Sequence, residues 1–169
     1  EKALALLRPL LPGATQLLGK VKLRLSPVGH LLGACAVHLA AGNESLLFSG
    51  DLGRSDDLLM LPPEPAPRAS VVLVESTYGN RQHPKDDVMQ RLGAIVRDTI
   101  GRGGSVLMPS FAVGRAQALL LVLQRLRRSG EIPQQLPIFL DSPMALAATE
   151  LYRRFGALLR PSRHEMQHL

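Results

Sequence analysis

Apolar and polar positions change rhythm about halfway along the chain, and the change predicts two kinds of architecture. Residues 2–8 have helical spacing, which Pro9 and then Pro12-Gly13 stop. Val21–Leu25 alternates as Val-Lys-Leu-Arg-Leu, the period of a half-buried strand. Ala34–Ala40 and Ser45–Ser49 are two more predicted strands, joined by the turn Ala41-Gly42-Asn43-Glu44. Leu61–Pro67 carries four prolines in seven residues and predicts an extended surface loop.

Beyond that loop the alternation stops. Val71–Val74 is a continuous β-branched and Leu run, as expected of a strand buried on both faces. Asp86–Arg102 predicts a helix with Asp86 and Asp87 in its first turn, where the helix dipole favours acids. Ser105–Met108 and Pro137–Leu140 predict buried strands, and Gly114–Arg128 and Pro143–Phe155 predict helices, the last with Pro at its first position. Strand and helix in alternation imply a parallel sheet with right-handed crossovers. The boundary between the two rhythms falls near Ser76–Pro84.

Composition narrows this picture. At 169 residues the chain suffices for one ordinary domain or pieces of two. Aromatics make up 4% and Trp is absent, so the core is aliphatic and base stacking on aromatic platforms is not the expected recognition mode. Residues 1–75 hold seven Lys/Arg against seven Asp/Glu, and residues 76–169 hold thirteen against seven. The whole excess of +6 therefore lies in the second part, mostly as Arg, which suits bidentate phosphate contact. Solvated helix faces would show the same excess. A single Cys, Cys35, excludes an intrachain disulfide and fits a reducing, cytoplasmic setting. No apolar run approaches the roughly 20 residues of a membrane span, and Arg8-Pro9 interrupts the one stretch that resembles an export signal.

Three constellations carry candidate chemistry. Gly29-His30-Leu31-Leu32-Gly33 places an imidazole, a common zinc ligand, on backbone free to approach a partner, though taken alone it reads more readily as a loop His with a structural hydrogen bond. Ser49-Gly50-Asp51-Leu52-Gly53-Arg54 delivers a carboxylate onto a glycine-lined turn after a strand, where it would either serve a metal or hydrogen-bond its own turn. Val74-Glu75-Ser76-Thr77-Tyr78-Gly79 ends an apolar strand on an acid, which is costly unless that acid is paired or at work. Among the other histidines, His38 falls inside a predicted strand and reads as structural. His83 lies in a polar turn beside Pro84 and reads more readily as a surface residue than as one that approaches a substrate, and His164 and His168 share a helical spacing best read as a solvated face.

The order of these motifs, continued by Pro109-Ser110-Phe111-Ala112-Val113-Gly114-Arg115-Ala116-Gln117 and Leu140-Asp141-Ser142-Pro143-Met144-Ala145, resembles the β-CASP RNA-processing nucleases of the metallo-β-lactamase superfamily. The resemblance covers about residues 21–156. It implies an α/β chain: part of a metallo-β-lactamase αββα sandwich over residues 1–76, then part of a β-CASP parallel-sheet domain over 77–169. It also implies a zinc-dependent ribonuclease, in which two zinc ions assist hydrolysis of a phosphodiester in single-stranded RNA, with DNA open as a substrate. By the resemblance, His30 and Asp51 are metal ligands, with Asp51 bridging two ions. Asp51 and Glu75 are the catalytic acids, and Arg115 and Ser142 are candidates to grip RNA phosphates. Local roles compete for those two: Arg115 as a helix-start residue and Ser142 as the N-cap of the last helix.

The family's His-x-His-x-Asp-His motif is absent from the chain, as are its later His motifs. Cys35 stands where a small Ala is common, and Ala118 replaces a frequent Glu. The missing motifs, a start without Met inside a predicted helix and an end without a closing element point to an internal fragment. Such a fragment is expected to hold too few ligands for two zinc ions and to be inactive alone. It is also expected to expose apolar edges and to dimerise or rearrange around them. Two other readings compete: a catalytically silent family member that binds RNA or a partner nuclease as a scaffold, and a metallo-β-lactamase-fold hydrolase acting on thioesters or lactams. The Glu-Ser-Thr-Tyr-Gly and Asp-Ser-Pro-Met-Ala stretches argue against the latter.

Overall fold

A computed structural model describes residues 2–82 and 87–169, so the expectations placed on His83 and Asp86 lie outside the described residues. The chain divides into two compact units, Glu1–Gly79 and Asn80–Leu169. Together they make a mixed α/β protein, as the sequence implies.

The first unit is a five-stranded sheet in sequential order: β1 (Thr15–Leu18), β2 (Val21–Pro27), β3 (Cys35–Ala41), β4 (Glu44–Phe48) and β5 (Val71–Leu73). The first four strands pair antiparallel, and β5 joins β4 in parallel. β2 alternates half-buried Val21, Leu23 and Leu25 with exposed Lys22 and Arg24, as its period-two pattern demands. Ala41 pairs with Glu44 across the two-residue turn Gly42-Asn43, where Gly42 takes φ 57°. Val28, Ala36 and Leu47 form the small core, with Ala34 and Ala69 packed against it.

Three expectations for this unit are corrected. Residues 2–8 form only a 3₁₀ turn at Leu4–Leu6 with no buried residue, since no neighbouring surface covers its leucines. β1 was not expected, because the adjacent Leu17 and Leu18 break the alternation that marks a strand. β5 is shorter than Val71–Val74 and is exposed rather than buried on both faces: it is an edge strand, paired only with β4, and no layer covers it.

The second unit is helical: α1 (Val88–Gly101), α2 (Arg115–Arg128), α3 (Pro143–Arg154) and α4 (Arg163–Gln167). Asp87 caps α1 by accepting from Met89 N at 2.9 Å and Gln90 N at 3.1 Å. α3 opens on Pro143 with Ser142 as its cap, and α4 carries a Ser162–Glu165 capping box. Leu121, Leu126, Ile132, Tyr152 and Met166 form its tightly buried interior. The expected strands at Ser105–Met108 and Pro137–Leu140 are extended but make no ladder, so no parallel sheet forms among the described residues of this unit. Both segments instead line a trough of about 640 Å³ beside α1 and α2, leaving Leu107 and Phe139 facing solvent. An extended segment becomes a strand only when a neighbour satisfies its amides, and here neither does so for the other.

Candidate functional site

Strand direction gathers the three sequence motifs of the first unit. β2 and β4 both run antiparallel to β3, and β5 runs parallel to β4, so all three end at one edge of the sheet. His30 follows β2, Asp51 follows β4 and Glu75 follows β5. His30 Nε2 lies 3.8 Å from Asp51 Oδ2, with both side chains open to solvent.

Two glycines set that approach. Gly53 N donates to Val28 O at 2.8 Å, drawing the Asp51 loop against the His30 loop. A Cβ on Gly53 would sit 1.9 Å from Gly29 O, and one on Gly29 would sit 2.3 Å from Leu61 O. No side chain fits at either position. Gly29 (φ 66°) and Gly50 (φ 58°) also occupy the left-handed region, which turns the chain sharply after β2 and β4.

Glu75 braces the same loops. Its Oε1 accepts from Leu52 N at 3.3 Å and its Oε2 from Thr77 N at 2.9 Å. Its own N–H donates to Ser49 Oγ at 2.9 Å, while that hydroxyl donates to Gly50 O at 2.7 Å. Hydrogen bonds from Thr77, then the one from Leu52, hold the Glu75 carboxyl below its ordinary pKa, with a smaller contribution from nearby His30. Arg54 is committed to Asp56 in a two-pronged ion pair at 2.9 and 2.8 Å. Sequence reasoning gave no role to Ser49, Thr77 or Gly53. The motif spacing contains all three, but only the strand order reveals what they meet.

As part of a metal centre, the donor set is chemically suitable. Two ligands on one tetrahedral zinc lie about 3.3 Å apart for bonds of about 2.05 Å, close to the His30–Asp51 separation of 3.8 Å. Imidazole nitrogen and carboxylate oxygen are both zinc donors. Among the described residues, however, no three His, Cys, Asp or Glu side chains converge as a metal site would require.

The other candidates lie in the second unit. Arg115 is exposed in the first turn of α2. Ser142 Oγ accepts from Ala145 N at 3.2 Å, which makes it the cap of α3 and leaves its proton free to donate. Gln117, fully buried, ties the two motifs of this unit together. Its Oε1 accepts from Gly114 N at 2.7 Å, and its Nε2 donates to Ala112 O and to Thr149 Oγ1 on α3 at 3.1 and 3.0 Å. The Gly-Arg-Ala-Gln motif is therefore also a packing device.

Comparison with known proteins agrees with the family resemblance. Residues 116–169 match the Beta-Casp domain. The chain is 40% identical over 155 residues to a ribonuclease of Thermus thermophilus, an alignment covering 91% of this chain. It is 37% identical over 145 residues to the transcription termination factor FttA of Pyrococcus horikoshii, covering 82% of this chain. It is also 37% identical over 129 residues to the endoribonuclease ysh1 of Schizosaccharomyces pombe, covering 75%. The chain spans 35%, 22% and 17% of the lengths of these three relatives. With motif order, mixed α/β architecture and these similarities in agreement, residues 116–169 carry a match to the Beta-Casp domain and the chain is similar to segments of RNA-processing proteins of the β-CASP group.

Proposed function

We propose that the chain contributes His30 and Asp51 to the two-zinc centre of a ribonuclease that hydrolyses phosphodiesters in single-stranded RNA. The observation that carries this reading is the presentation of His30 Nε2 and Asp51 Oδ2, 3.8 Å apart, on two loops held together by their backbones. Support for RNA as substrate comes from relatives named ribonuclease and endoribonuclease. Bound zinc would neutralise phosphate charge and lower the pKa of water.

His30 offers a solvent-facing imidazole and Asp51 a solvent-facing carboxylate, the two side chains that would hold the metal. Glu75 serves the reaction by fixing the Asp51 loop, since each of its oxygens already accepts a loop amide. Arg115 and Ser142 grip phosphates of the bound strand. Arg115 makes no ion pair among the described residues, and the Ser142 hydroxyl can still donate.

In this proposal residues 1–76 are part of a metallo-β-lactamase domain and 77–169 part of a β-CASP domain. The division into two units near Gly79 and the Beta-Casp match within the second unit support that division of roles. The protein works in the cytoplasm. Val71–Val74 and Phe139, apolar and exposed, favour self-association.

Elemental analysis and cleavage of end-labelled single-stranded RNA, on the chain within its complete reading frame, test the proposal. About two zinc ions per chain and cleavage are expected. His30→Ala and Asp51→Ala should each lower zinc affinity and cleavage by about a hundredfold or more. No zinc and no cleavage would overturn the enzyme reading and leave an RNA-binding scaffold. Cleavage of DNA alone would overturn the substrate.

A further inference from the structure

A second polar depression lies wholly within the helical unit, remote in sequence from His30 and Asp51. Arg125, Arg128 and Ser129, from the last turn and C-cap of α2, face Ser162, His164 and Glu165 at the start of α4 across a concavity of about 450 Å³. The one acid in it is already committed. Glu165 Oε1 accepts from Arg125 Nε at 3.0 Å, and Oε2 accepts from Ser162 N at 3.1 Å and from its hydroxyl at 3.2 Å. Burial raises the Glu165 pKa, but the Ser162 and Arg125 hydrogen bonds outweigh it and hold the group below its ordinary value, so it is ionised at neutral pH.

This pairing uses one edge of the Arg125 fork. A guanidinium has five N–H donors, and the bond from Nε leaves the two terminal nitrogens to a ligand. Arg128, one turn on, is exposed and makes no ion pair among the described residues. His164 adds a ring nitrogen from the opposite wall. Glu165 thus orients a cation rather than cancelling the site, and donors converge from two walls where acceptors are already taken.

We infer that this depression binds a backbone phosphate of single-stranded RNA, Arg125 and Arg128 supplying the donors and His164 closing the far side. The inference rests on the RNA reading above for its choice of ligand, though the phosphate chemistry is shared with free phosphate. Arg128 is the residue to alter, because it is exposed and makes no ion pair among the described residues, whereas Arg125 also holds α4.

The test is fluorescence anisotropy of labelled decauridylate against the protein, as a function of salt. Arg128→Glu should weaken binding about tenfold and reduce the slope of log K against log salt by about one. Arg102→Glu changes the net charge equally on an exposed residue outside the depression, and should leave binding within about twofold. Equal weakening by both variants would overturn the inference in favour of net charge alone. Decauridylate binding that ignores Arg128→Glu would overturn the site while leaving the RNA reading standing. Inorganic phosphate at millimolar concentration should compete only weakly with the strand. Phosphate binding that Arg128→Glu abolishes, with no decauridylate binding by the unaltered protein, would overturn the assignment to RNA together with the reading on which it rests.

Discussion

The two units position their motif residues by opposite means. In the sheet unit the candidate ligands are exposed, and what fixes them is contact with loop backbone: Gly53 packed on Gly29, and the Glu75 carboxylate on the amides of Leu52 and Thr77. In the helical unit the motif residue that ties elements together, Gln117, is fully buried and works through its side chain. Glycine therefore carries positional information in the first unit and side-chain volume carries it in the second. The lesson concerns what each tolerates. A site set by missing side chains fails when one is added, and a unit set by buried side chains fails when one is removed.

The largest expected effect comes from removing volume in the helical unit. Leu121 is completely buried, and Leu121→Ala should destabilise that unit by about 3–5 kcal/mol. Denaturant unfolding followed by amide exchange would assign the loss to residues 88–169 and leave the sheet unit's protection unchanged. The counterpart is Gly53→Ala, which adds a single carbon 1.9 Å from Gly29 O. Backbone cannot rotate away as a side chain can, so a cost of about 3 kcal/mol is expected. Amide shifts of residues 28–34 and 49–54 should change together. An Ala at this position with unchanged His30 and Asp51 signals would break the contrast.

Gln117→Leu comes next. The substitution keeps volume but leaves Gly114 N without its acceptor and Ala112 O without its donor, at about 2–3 kcal/mol by thermal unfolding. Thr149 keeps its bond to Ala145 O at 2.7 Å, which limits the damage. A cost near zero would mean that the motif residue is held by shape and that its hydrogen bonds add nothing.

How much of this was legible in the sequence follows the same division. β2, β3 and β4 are readable because alternation is local, and α3 because its cap, Ser142, sits where a cap belongs; Asp87 reads as a first-turn acid but proves to be the cap of α1, and the short α4 with its Ser162 cap is not predicted. His30, Asp51 and Glu75 stand out as residues. Their meeting at one edge depends on the parallel pairing of β5 with β4, which no local pattern states. The apolar runs at Val71–Val74, Ser105–Met108 and Pro137–Leu140 read as buried strands because periodicity registers hydrophobicity, not whether a neighbour is there to cover it. Of these only β5 has a ladder partner, and all three present apolar side chains to solvent. Gly53 and Gln117 are present in the motifs, yet their roles are contacts with chain distant in sequence or in fold, and composition does not encode those.

Acid should weaken the Glu165 pairing of the helical unit by a smaller margin. The folded-state pKa of Glu165 is depressed, so its contribution is fully present above the ordinary carboxylate value of 4.5 and is lost as pH falls through the lower folded value. Glu165→Gln should cost the helical unit about 1–2 kcal/mol at neutral pH, in keeping with a hydrogen-bonded, partly buried pair. The difference from the unaltered protein should shrink below pH 4.5 and vanish in strong acid. Measured by urea unfolding across pH, a difference that stayed constant would mean that Arg125 and Ser162 recognise the shape of the group and not its charge.

The smallest effect sharpens the comparison most, because it separates conformation from contact at glycine itself. Gly33 takes φ 84° in the same loop as Gly29, but a Cβ there would meet nothing within 4 Å. Gly33→Ala should therefore cost only the left-handed backbone penalty, about 1–2 kcal/mol, whereas Gly53→Ala, with no positive φ, meets backbone alone. Gly33→Asn, which tolerates that region better, should recover part of the loss. If Gly33→Ala proved as damaging as Gly53→Ala, the His30 loop would be fixed by its torsion angles and not by the clasp between Gly53 and Val28. The 3.8 Å approach of His30 to Asp51 would then belong to one loop acting alone.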